Sequence, residues 1–332
     1  MLYGQPPTHC RQSADPVPPR LIPLVLALAW GLNWPVVKIV LGGLPPFSFR
    51  VIGLGGAALL LWLLTLLRGR SIKPTATDLT GIAIGGLLTV AGFNLCTVFA
   101  QLSTSTSRAT VLTYTMPMIA ALLARIVLGE RLSPRHGWAV GVGGAGIALL
   151  AWPVWRGLGA GLGSWPGLAF PLLAASAWAG GTIAAKLWPT RGDRIVNTAW
   201  QLAIGALAGL IGALGTGERL PDHLSPAVWA GVAYHIIAAT ALAYVLWFQL
   251  LEHHSATVAS LTTLAVPVIG VLGAMALVGD RPGGLDWAGF ALVLVGAGLA
   301  AIQGSRAGAG TAAAVIADSK AASSDARGKL RR

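Results

Sequence analysis

Residues 115–131 read TMPMIAALLARIVLGER, and residues 265–281 read AVPVIGVLGAMALVGDR. Each is a long apolar run with a proline inside it, Pro117 in the first and Pro267 in the second, 150 positions apart. Gly129, Arg131 and Thr113 find Gly279, Arg281 and Thr263 at the same offset of 150. A proline within a helix has no N–H to give the carbonyl four residues back, so the carbonyls of Thr113 and Thr263 lose their helical partners. In hydrocarbon such a group costs several kcal/mol unless protein, water or a ligand satisfies it. The match extends outward: Trp30 answers Trp178, Lys38 answers Lys186 and Gln101 answers Gln249 at 148, and Trp138 answers Trp287 at 149. Any two apolar helices share Leu and Ala, but not Pro, Trp, Lys and Gln in register. The chain is therefore a duplication.

Of its 332 residues 55% are hydrophobic and 10% charged, with a mean hydropathy of +0.71. Soluble domains carry about 25% charged residues, and a helical span needs about 20 apolar residues to cross ~30 Å of hydrocarbon. Ten runs meet that need: 21–41, 46–67, 79–100, 107–128, 136–152, 166–188, 195–215, 227–251, 256–278 and 285–302. They are too long for barrel strands and do not alternate, which predicts an all-α polytopic membrane protein. The net charge of +12 sits in tails and short loops, so the expected partner is the lipid bilayer and not nucleic acid. Cys10 and Cys96 fall at different depths and are not expected to pair. Residues 1–20, without the marks of a signal peptide, and the basic, Ala/Gly/Ser-rich residues 303–332 are expected to be disordered tails.

With the N-terminus inside, the inner loops hold Arg68, Arg70, Lys73, Arg131, Arg135, Arg191 and Arg194, and the outer loops hold Arg156, Arg219 and Arg281. That bias predicts a protein of the cell's inner membrane with both termini cytoplasmic. Each copy, 21–152 and 166–302, has five spans. Five is odd, so the second copy enters the membrane upside down. An inverted repeat places a pseudo-two-fold axis in the membrane plane, with solute sites near mid-depth where the copies meet.

The segments ALAWGLNWPVVK (27–38), FSFR (47–50), FAQLSTSTSRATVLTYTMPMIAALLARIVLGERL (99–132) and GWAVGVGGAGIALLA (137–151) resemble the EamA-like ten-span transporters of the drug/metabolite transporter superfamily. The second half repeats them more loosely, with Asp280 where the first has Glu130 and Gln201 where it has Arg50. The resemblance implies a secondary transporter, an exporter of a small organic metabolite such as an amino acid, working by alternating access.

On the residues themselves, Thr110, Thr113 and Pro117 share one helix face with Tyr114 beside them, and Ser260, Thr263 and Pro267 form the mirrored stripe. One reading makes the prolines hinges and the hydroxyls a polar wall. The other makes them packing kinks whose threonines bond back to their own helix. Trp30, Asn33 and Trp178 are further candidates for the cavity wall, as are Asn94, Gln101, Tyr244 and Trp247. Arg50 is either an interface anchor or the holder of an anionic group. His235, well inside its span, is read as structural ahead of a proton carrier. Gly81 with Gly85, Gly137 with Gly141, and Gly205 with Gly209 are small-residue pairs for close helix approach. Acidic side chains stand at span ends, in loops and in tails but never mid-span, and the sequence has no Walker loop, His-Glu-x-x-His or cysteine cluster. No cofactor, metal or catalytic residue is expected. The alternatives are a passive channel or facilitator and, less favoured, a membrane-embedded enzyme. The expected assembly is a monomer or homodimer.

Overall fold

The computed structural model describes residues 17–130, 134–156, 164–253 and 256–300, with the side chains of 135, 136, 248, 251–253 and 256–261 left out. The described residues build α1 (Ile22–Leu41), α2 (Pro46–Leu67), α3 (Ala76–Ser103), α4 (Thr106–Val127), α5 (Pro134–Trp155), α6 (Trp165–Leu187) and α7 (Arg194–Thr216). They continue with α8 (Pro226–Trp247, running on to His253), α9 (Ala256–Leu277) and α10 (Gly284–Ala300). Eight described helices are long and apolar enough to cross a membrane, and α9 and α10 carry two shorter apolar stretches. The protein is an all-α polytopic membrane protein of two inverted five-helix repeats.

The packing follows the inversion. α1 lies along α9 and α8, while its copy α6 lies along α4 and α3, and α2 packs on α7 across the pseudo-axis. Local chemistry sets the ends. Ser105, Ser164 and Ser225 accept from backbone N–H groups three residues on, at 3.3, 3.2 and 3.3 Å, capping α4, α6 and α8. The repeat is visible down to the helix stops. Glu130 N donates to Ala124 O at 3.3 Å past Gly129 (φ 68°), and Asp280 N donates to Ala274 O at 3.2 Å past Gly279 (φ 72°). Both are left-handed glycine stops, which free helical carbonyls favour.

Close approach uses glycine, though not always at the expected pairs. A Cβ on Gly205 would stand 2.6 Å from Val90, and one on Gly81 2.5 Å from the carbonyl of Trp188. Gly137 and Gly141 instead face open space. α5 meets α10 through Gly146 and Gly296, where an added Cβ would stand 2.7 Å from backbone atoms of the other helix.

Two segments depart from α geometry: Gly86–Gly92 in α3 and His235–Leu242 in α8 are π-helical. They begin 149 residues apart, at the same place in the third span of each copy. The fourth spans differ. α4 breaks at Tyr114 and Thr115, between Thr106–Thr113 and Met116–Val127. α9 continues as one helix through Pro267.

Candidate functional site

A cavity of about 310 Å³ lies between the copies, bounded by α1, α2, α3, α4, α6, α7, α8 and α9. Its size is at the small end of ligand cavities. Six aromatic side chains stand in its wall: Trp30, Trp34, Phe93, Tyr114, Trp178 and Tyr244. The repeat-related tryptophans are each braced by an aromatic from the other copy's third span. Trp30 packs on Trp247 with ring centroids 5.6 Å apart, and Trp178 on Phe93 at 5.0 Å.

One polar cluster interrupts this wall. Arg50, five positions into α2, is only 2% exposed. Its Nε donates to Asn94 O at 3.0 Å and its Nη2 to Thr97 Oγ1 at 3.1 Å. Its Nη1 lies 3.3 Å from Nε2 of His235, whose Nδ1 lies 2.8 Å from Oδ1 of Asn33. An arginine only donates, so Nε2 accepts. The ring proton is then on Nδ1, donated to Asn33, and the imidazole is neutral. The guanidinium carbon also sits 4.8 Å from the centre of the Phe49 ring, a cation–π contact.

The π segment of α8 builds one wall of this cluster. Its i→i+5 pattern brings His235 and Thr240, five residues apart, to the same cavity together with Ala239 and Tyr244. Among the described residues the pseudo-symmetric contact between the copies has no equivalent cluster. At the corresponding contact Ile204 stands against Gly86, as Gly53 stands against His235. Gln201, in the place of Arg50, sits beside Gly85.

The two ends of the cavity differ. Where α1 ends and α2 begins, Val37, Arg50, Thr97 and Gln101 are buried. Lys38 Nζ donates to Gln101 O at 2.5 Å, Gln101 Nε2 to Trp34 O at 2.8 Å and Thr106 Oγ1 to Gln101 Oε1 at 2.8 Å. Beyond them Arg108 Nε pairs with Asp286 at 2.7 Å, and Asp280 accepts from Ser107 N at 2.7 Å and Oγ at 2.9 Å. Toward the other end, Met116, Ala120 and Tyr244 are half-buried and Thr182 is exposed.

The cavity brings together Trp30, Asn33, Arg50, Asn94, Tyr114, Trp178, Tyr244, Thr263 and Pro117 from the residues singled out in the sequence. Thr110 and Thr113 are fully buried outside its lining, and their hydroxyls donate back to Thr106 O and Ala109 O, both at 2.7 Å. Trp247 braces Trp30 from behind, Pro267 is buried within α9, and the Ser260 side chain lies outside the described residues. Among residues the sequence did not promote, His235 joins the polar cluster, and Phe93, Thr97 and Thr182 line the wall. The missed signal at His235 was its spacing to Thr240, which a π turn alone aligns.

The profile of the EamA-like transporter family matches the chain twice, over residues 21–152 and 165–302. The chain belongs to the EamA-like transporter family. It is 24% identical to "Uncharacterized transporter YoaV" of Bacillus subtilis, over 74% of this chain and 84% of that protein. It is 25% identical to "Uncharacterized inner membrane transporter YedA" of Escherichia coli K12, over 83% and 91%. With "Protein PecM" of Dickeya dadantii it shares 28% over 62% and 68%. A solved crystal structure has the same fold, with a TM-score of 0.59 at 22% identity over 87% of this chain and 98% of that one. The family and the first two of these relatives are named as transporters rather than enzymes.

Proposed function

We propose that this chain is a secondary transporter of the inner membrane, with both termini in the cytoplasm, which exports a small organic metabolite of amino-acid size by alternating access. The two copies, 21–152 and 166–302, are its working halves. The observation that carries this reading is a cavity at the seam of two inverted repeats, buried at one end and more exposed at the other. Repeat transporters work by exchanging the conformations of their halves around such a site. The fourth spans support the same idea, since α4 is broken just before its proline and α9 is not. One sequence element holding two shapes in two copies is what interchanging halves require. In this reading the solute enters from the cytoplasm, past Ala120 and Thr182, and stops at Arg50.

The test uses the full chain in liposomes, with Cys10→Ser and Cys96→Ala removing the native thiols. Single cysteines are placed by Val37→Cys or Ala120→Cys and challenged with a membrane-impermeant maleimide from either side. Ala120→Cys should react from the cytoplasmic side and Val37→Cys should be protected. The intact chain should show saturable counterflow of at least one labelled solute from a metabolite panel. Single-channel currents, or reaction of both cysteines from both sides at once, would replace the carrier with a pore.

A further inference from the structure

The only charged side chain among the described residues lining the cavity is Arg50. Its hydrogen-bond partners are all neutral: a backbone carbonyl, a threonine hydroxyl and an imidazole nitrogen that must accept. The ion pairs of the described residues join other groups, Arg70 with Asp193, Arg108 with Asp286 and Lys186 with Glu130. Nearby carboxylates are engaged elsewhere. Glu218 accepts from Phe47 N at 3.1 Å and from Ser48 N and Oγ at 2.7 and 2.8 Å, and Asp280 is held by Ser107. The cavity thus carries a net positive charge at membrane depth, where a cation without a counter-ion is costly.

The guanidinium has five N–H groups. Three are engaged by Asn94, Thr97 and His235, which leaves donors for a ligand. A carboxylate matches such a fork with two parallel, charge-assisted bonds, and it also neutralises the site. His235 adds no charge of its own, because Asn33 and Arg50 hold it as a neutral ring with its lone pair toward Arg50.

We propose that the cavity takes an organic monocarboxylate with a flat apolar body, in preference to a zwitterionic amino acid. The carboxylate docks on Arg50 and the body lies among Trp30, Phe93, Trp178 and Tyr244. The charge count decides between the two ligand types. A zwitterion brings an ammonium along with its carboxylate, and no carboxylate in the described lining receives it. Contact with indole faces recovers only part of the hydration that the ammonium loses. A monoanion leaves the filled cavity neutral, whereas a zwitterion leaves it positive. This narrows the amino-acid expectation raised by the sequence. It rests on the transporter reading for the solute's fate, but not for its binding.

The experiment is isothermal titration calorimetry of the detergent-purified full chain with four matched probes: 3-phenylpropionate, its amide, phenylalanine and 2-phenylethylamine. The acid should bind about 30-fold tighter than the amide, the gain of a charge-assisted bond pair, and about 10-fold tighter than phenylalanine. The amine should give no heat. Arg50→Gln, which installs the residue found in the other copy, should bring acid and amide to equal affinity, and Arg50→Lys should keep part of the difference. Should Arg50→Gln fail to fold, the acid–amide ratio of the unaltered chain still decides. Equal binding of acid and amide, phenylalanine binding as tightly as the acid, or no binding by any probe overturns the proposal. Calorimetry reads binding alone. A chain that binds the acid but moves nothing across liposomes keeps this inference and loses the transporter reading. One that carries phenylalanine without preferring the acid does the reverse.

Discussion

A Cβ on Gly53 would stand 2.6 Å from Cδ2 of His235. Only glycine lets α2 approach the imidazole closely enough for Arg50, three residues earlier on the same helix, to reach Nε2 at 3.3 Å. The pseudo-symmetric contact between the copies reverses the bulk. Gly86 is the small partner there, with Ile204 Cδ1 2.8 Å from its would-be Cβ. Of two pseudo-symmetric contacts between the copies, one thus carries a polar cluster and the other plain packing.

Gly53→Ala should therefore damage the site more than the fold. The rigid ring has to move, and overpacking of this kind costs about 1–3 kcal/mol. Counterflow or ligand affinity should fall about 10-fold, the equivalent of roughly 1.4 kcal/mol, with a modest drop in melting temperature. Gly86→Ala strikes the aliphatic Ile204 instead of the imidazole that meets Arg50, and should lower the melting temperature while sparing affinity. Equal affinity losses in both variants would count against the Gly53–His235 relationship.

Thr113→Val separates the polar wall from the kink. The Thr113 hydroxyl bonds back to Ala109 O and stays out of the cavity, a contact that slightly destabilises a helix at most. Transport by Thr113→Val should stay within about twofold of the parent and stability within ~1 kcal/mol. Thr263, by contrast, lines the cavity, and Thr263→Val should lower the transport rate. A Thr113→Val chain that folds but no longer transports would restore the hydroxyl to the solute path.

Two ion pairs should behave differently. Arg108 and Asp286 are 6% and 14% exposed, and Arg108 Nη2 also donates to Leu150 O at 2.8 Å. Breaking a buried pair strands a charge at a cost of about 3–5 kcal/mol, so Asp286→Ala should lower the melting temperature by several degrees. Lys186 and Glu130 are 54% and 50% exposed. Glu130→Gln should shift stability by less than ~1 kcal/mol. A thermal-shift series on the two variants checks the ordering.

The left-handed stops at Gly129 and Gly279 have φ near 68° and 72° and nothing within 4 Å of an added Cβ. Gly129→Ala and Gly279→Ala should each cost about 1–2 kcal/mol from backbone strain alone. Because the two stops are copies of each other, the losses should be alike. A loss at only one of them, seen in melting temperature, would show that the stops are not equivalent.

Much of this architecture is legible from the chain. Hydropathy places the spans within a few residues, and Pro117 with Pro267 shows the duplication. Among the residues that line the cavity, Trp30 and Trp178 were legible because the repeat carries them both. Arg50 was ambiguous because its place near a span end suits snorkelling as well as burial, and only its neighbours at Asn94, Thr97 and His235 decide. Thr110 and Thr113 looked like lining because hydroxyls on a kinked face can turn either way.

The sequence by itself determined that the chain lies in a membrane, how many times it crosses, and, through the parity of five spans, that its halves are inverted. These follow from lengths and counts, which transfer from water to lipid does not permit to vary. Tertiary structure alone decided which polar groups meet. The rotation of each helix about its own axis is set by glycine contacts and π turns, not by hydropathy. That rotation turns Asn33 and Arg50 of the first copy and His235 of the second toward one another, and at the pseudo-symmetric contact leaves glycine and isoleucine.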